Sequence, residues 1–120
     1  MQFRPALLLL AAAVLLSPLP AFAHAQLLKA VPGVGTTVTT APSITLAFSE
    51  PVEPAFCGIA LSDAAGKTVP LGKPASAADK ATLVAAVKAR LAPGTYTVTW
   101  HAVSVDTHRT QGTFAFTLAP

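Results

Sequence analysis

The chain has 120 residues, 52% hydrophobic and only 11% charged, with 11 prolines, 7 glycines, one cysteine and one methionine. That length holds one domain and excludes a second with its own core. A formal charge of +3 is too mild for a nucleic-acid partner, and a single cysteine excludes an internal disulfide.

The mean hydropathy of +0.59 is high, and the excess lies at the start of the chain. Arg4 is followed by an unbroken apolar run over residues 7–16, about half of the ~20 residues a membrane span takes. Ser17, Pro18 and Pro20 come next, then Ala21-Phe22-Ala23. A basic start, a short apolar stretch and an A-x-A end mark residues 1–23 as a secretory signal peptide. Cleavage after Ala23 leaves one domain, residues 24–120, with seven basic and five acidic residues and no second apolar run of spanning length. The mature product is expected to be exported, without a membrane span, and held by its core alone.

Turn signals then recur at short intervals: Pro32-Gly33-Val34-Gly35, Ala41-Pro42-Ser43, the stretch from Ser49 to Pro54, Asp63-Ala64-Ala65-Gly66, Leu71-Gly72-Lys73-Pro74 and Ala92-Pro93-Gly94. Between them apolar residues alternate at period two. Ile44, Leu46 and Phe48 share one face; Tyr96, Val98 and Trp100 alternate with threonines, and Phe114, Phe116 and Leu118 with Thr113, Ala115 and Thr117. Strands are predicted over 26–31, 43–49, 55–62, 67–71, 81–87, 95–103 and 112–119. Seven short strands in under 100 residues predict an all-β fold, a seven-stranded Greek-key immunoglobulin-like β-sandwich with barrel-like closure. The stretch 75–91 is alanine-rich, and Leu83, Val84, Val87 and Leu91 also fit a helical stripe. The all-β pattern around it decides for strand.

The chemistry concentrates at two places. Cleavage would make His24 the mature N-terminus, offering its α-amine and its imidazole Nδ1 to one metal as a chelate. The α-amine has an ordinary pKa near 7.7–8.0, so a Lewis acid displaces its proton at neutral pH. The second place is Asp106-Thr107-His108. In an extended backbone residues i and i+2 point the same way, so Asp106 and His108 can face one point. Three nitrogens and an oxygen in a tetragonal plane favour Cu(II), whereas zinc prefers a tetrahedron richer in histidine or thiolate. Each piece has a plainer reading. His24 is then a frayed terminal residue, and Asp106 accepts backbone hydrogen bonds in a turn while His108 is solvated.

Four stretches carry a family resemblance: His24-Ala25-Gln26-Leu27, the segment from Leu46 to Glu53, the segment from Ala92 to Trp100, and Ala102 to His108 closed by Gly112-Thr113-Phe114. Together they resemble the CopC family of periplasmic copper-binding (copper resistance) proteins over essentially the whole mature chain. The resemblance implies a sandwich that binds one Cu(II) through His24, Asp106 and His108, with Glu50 beside the copper rather than on it. It also implies a role in copper sequestration, transport or tolerance, with an inner-membrane copper transporter as partner. Glu50 reads nearly as well as an exposed turn acid before Pro51.

Some family members carry a methionine-rich segment for Cu(I). The only methionine here is Met1, which leaves with the signal, so a Cu(II)-only type is expected. Cys57 reads as a small buried hydrophobe and only secondarily as a Cu(I) thiol. His101 is opposite in parity to Trp100 and is expected to face solvent. Two other classes use similar parts. A copper monooxygenase also pairs an N-terminal histidine with a second one, but a domain this small has little area for a polysaccharide, and Asp106 would fill a position that O2 needs. A purely structural sandwich leaves His24 and the Asp106–His108 pair unexplained.

Overall fold

The computed structural model describes residues 25–120, so the stretch expected to be a signal peptide, residues 1–23, and His24 lie outside the described residues. Among the described residues nine strands form two sheets. The chain order is β1 (Leu27–Val31), β2 (Thr37–Val38), β3 (Ser43–Phe48), a short 3-10 helix (Pro54–Phe56), β4 (Gly58–Ser62), β5 (Thr68–Val69), β6 (Ala75–Ser76), β7 (Thr82–Ala86), β8 (Gly94–Val103) and β9 (Arg109–Leu118). The four-stranded sheet runs β1-β3-β7-β6 and the five-stranded sheet β2-β9-β8-β4-β5. The predicted all-β sandwich is therefore present.

Alternation explains why the two sheets close on each other. Ile44, Leu46, Phe48 and Leu83 from the first sheet join Leu61, Val98, Trp100, Ala102, Phe114 and Phe116 from the second in one buried core cluster. Phe48 meets Trp100 edge-on across the core, with ring centroids 5.2 Å apart. Tyr96 stacks on Phe116 and donates its hydroxyl to the Ala92 carbonyl at 2.6 Å, so its polar end is satisfied. Among the described residues no helix is long and apolar enough to cross a membrane.

Departures from the predicted strands have local causes. The stretch predicted over 55–62 begins as a 3-10 turn, because Pro54 donates no hydrogen bond and occupies its first turn. The strand starts only at Gly58. The helical alternative at 75–91 loses to pairing: β7 lies against β3 from Thr82↔Ala47 to Ala86↔Ser43, which buries Leu83 and Ala85. Tertiary context overrides the helical propensity of the alanines. Two-residue strands β2 and β6 extend the sheet edges beyond the seven predicted, and β9 starts three residues earlier than expected.

Candidate metal centre

β8 and β9 form a long antiparallel hairpin whose last rungs are Ala102↔Thr110 and Val103↔Arg109. The chain between them turns tightly. Ser104 N donates to the His108 carbonyl at 3.0 Å, Thr107 N donates to the Ser104 carbonyl at 2.8 Å, and Thr107 takes a φ of 73°. Asp106 and His108 therefore meet through a turn, not through the extended backbone expected from their spacing. Their side chains do meet: His108 Nδ1 lies 3.2 Å from Asp106 Oδ2, both about half exposed. The turn reading of Asp106 holds as well, since its Oδ1 accepts the Ser104 hydroxyl and, more weakly, the His108 amide at 3.4 Å.

Ser104 is fully buried, and it is the residue that sequence reasoning missed. Its hydroxyl, foremost, holds the Asp106 carboxyl below the ordinary carboxylate range, with His108 adding to the effect. An ionised oxygen is thus kept beside a ring nitrogen. That is the hard and intermediate donor pair suited to a divalent transition metal.

The start of the described chain is fastened to this end of the molecule. Ala25 is fully buried, and its carbonyl accepts the Thr110 hydroxyl at 2.7 Å, two residues beyond His108. Gln26 N donates to Ser49 Oγ at 2.9 Å and Ser49 N returns a bond to the Gln26 carbonyl at 2.8 Å. Glu50 follows Ser49, and Val105 N donates to the carbonyl of Pro51 at 3.2 Å. The backbone at Glu50 therefore adjoins the loop. Its carboxylate does not complete a set with Asp106 and His108, for no three such ligating side chains cluster among the described residues.

Cys57 is only partly buried. It packs on the core, donates to the Glu53 carbonyl at 3.1 Å and accepts the Val103 amide at 3.4 Å. Burial, chiefly, pushes its thiol pKa up, which disfavours the thiolate a metal would need. His101 lies on the outer face of the five-stranded sheet, as its parity predicts, with its ring over Gly58 in a shallow hollow of about 530 Å³.

Comparison with known proteins now bears on this geometry. The CopC domain family model matches residues 27–119. The chain belongs to the CopC family. It is 41% identical over 101 residues to Protein YobA of Escherichia coli K12, covering 81% of this chain and 80% of that one. It is 32% identical over 104 residues to Copper resistance protein C of Xanthomonas campestris pv. juglandis, covering 82% of each. The crystal structure of PcoC, a methionine-rich copper resistance protein from Escherichia coli, superposes with a TM-score of 0.74 at 35% identity, covering 80% of this chain and 99% of that one. A copper-related role in resistance or transport and the sandwich fold go with this membership.

Proposed function

We propose that the mature chain is a periplasmic carrier of one Cu(II) ion, held by the α-amine and imidazole of His24, by Asp106 and by His108, with Glu50 beside the metal. The observation that carries this reading is the anchoring of Ala25 by Thr110. Consecutive Cα atoms are 3.8 Å apart, so the residue preceding Ala25 starts within one peptide of a point fixed next to the Asp106–His108 loop. Family membership supports copper, and the donor set supports the cupric state. Soft donors are scarce, because Met1 is the only methionine and partial burial pushes the pKa of the Cys57 thiol up.

The role is carriage rather than catalysis, since a carboxylate on the copper takes a position that O2 activation needs open. An inner-membrane copper transporter is the proposed partner. The exposed side chains of Val105, inside the loop, and Phe56, on the 3-10 turn bonded beside it, offer such a partner an apolar foothold. The test compares the exported protein with a form carrying one extra residue before His24. Electron paramagnetic resonance of the exported protein is expected to show copper–nitrogen coupling that fades as acid reprotonates amine and imidazole. The extension turns the amine into an amide, and copper affinity is expected to drop by several orders of magnitude while the fold is unchanged. Equal affinity in the two forms would mean that His24 is an ordinary terminal residue.

A further inference from the structure

Four cations collect at the end of the sandwich opposite the Asp106–His108 loop. Lys67 closes the β4–β5 turn, Lys73 precedes β6, and Lys88 and Arg90 lie between β7 and β8; all four are exposed. The backbone brings their segments side by side: Gly72 N donates to the Ala86 carbonyl at 2.7 Å and Lys88 N to the Pro70 carbonyl at 2.9 Å. The Lys88 stem packs over Gly72, where a Cβ would sit 3.2 Å from its Cε, and Lys67 and Arg90 border one shallow hollow.

One acidic side chain, Asp63, lies among them, and its Oδ1 is occupied by the amides of Ala65 and Lys67 at 3.0 and 2.9 Å. Among the described residues none of the four cations is ion-paired. The other four acids, Glu50, Glu53, Asp79 and Asp106, sit on loops at the opposite end. The cationic end thus carries a formal +3 on a mature chain of only +2, counting Lys67, Lys73, Lys88 and Arg90 against Asp63.

We propose that this end docks the exported protein on an anionic phospholipid surface. The cations are spread along two backbone segments with no large exposed apolar side chain between them; Leu28, Val31, Val34, Phe56 and Val105 all lie elsewhere. A protein interface relies on such anchors, whereas a charged lipid surface attracts basic residues individually. The proposal requires export but not copper binding, so it stands or falls separately from the metal centre.

The test is cosedimentation of the exported protein with phosphatidylcholine vesicles, with and without phosphatidylglycerol. Binding is expected only with phosphatidylglycerol, at low salt, and is expected to disappear at about 0.5 M salt, where screening is nearly complete. Each cation is worth about fivefold, so Lys67→Gln with Arg90→Gln is expected to weaken binding about 25-fold. The charge-matched pair Lys29→Gln with Lys80→Gln, away from this end, is expected to leave it within about twofold. Equal loss in the two pairs would mean that net charge alone drives adsorption and would overturn the proposal. Absence of binding at low salt would also overturn it, in favour of an acidic protein surface.

Discussion

Asp106 is an exposed carboxylate whose behaviour is set by a buried neighbour. Ser104 contributes one hydroxyl, and that hydroxyl both fixes the rotamer of Asp106 and favours its ionised form. The folded carboxyl titrates below its unfolded value, so its contribution is present above the ordinary carboxylate range and is lost as pH falls through the folded value. Removing the hydroxyl by Ser104→Ala is expected to lower Cu(II) affinity about 10–100-fold, the usual effect of losing a group that orients a ligand. Competition against a chelator of known affinity measures this, and circular dichroism checks that the hairpin persists. An unchanged affinity would reduce Ser104 to a space-filling residue. The aspartate and histidine were legible from their spacing, but Ser104 was not. A serine two residues before an aspartate is ordinary in a turn, and only its complete burial distinguishes this one.

Two glycines in the five-stranded sheet look alike in sequence and differ in what they touch. Gly112 faces Trp100 across the β8–β9 ladder, where an added Cβ would come within 2.7 Å of Cζ2 of a ring held in the core against Phe48. Gly58 lies under His101, 2.3 Å from Cε1, but that ring is on the outer face and can swing away. Gly112→Ala is expected to destabilise by about 1–3 kcal/mol, as overpacking does. Gly58→Ala is expected to stay within about 0.5 kcal/mol. Urea unfolding separates the two, and equal costs would show that the His101 ring is pinned as firmly as Trp100. The strands themselves were legible wherever alternation was strict, as in β3, β8 and β9. The register that sets these glycines against rings was not, because pairing partners far apart in sequence decide it. The turn before β7 was also hidden. There Asp79 accepts the amides of Ala81 and Thr82 at 3.0 Å each and the Thr82 hydroxyl at 2.9 Å. Those bonds, the Thr82 hydroxyl first, lower its pKa. Asp79→Asn is therefore expected to melt at a lower temperature near neutral pH. The gap from the parent should close as pH falls through the folded carboxyl's value. A gap independent of pH would deny the charge any part.

At the scale of the whole molecule, the candidate centre lies where the two sheets come together at one end. β1 belongs to the four-stranded sheet and β9 to the five-stranded one, and the bond from Thr110 to Ala25 joins the lead-in of the first to the start of the second. The sandwich class was legible from turn spacing and alternation. This junction was not, since nothing local relates residue 25 to residue 110. A copper ion held by His24 on one side and by Asp106 and His108 on the other would add a second tie across the same junction. Binding only to the folded arrangement stabilises it by mass action, by about 4 kcal/mol when free metal exceeds Kd about 1,000-fold. Thermal melts of the exported protein are thus expected to shift upward with Cu(II) and to return with a chelator. The form extended before His24 is expected to shift far less at the same metal concentration, because only the loop side of the tie remains. An equal shift in both forms would put the stabilising metal away from this junction.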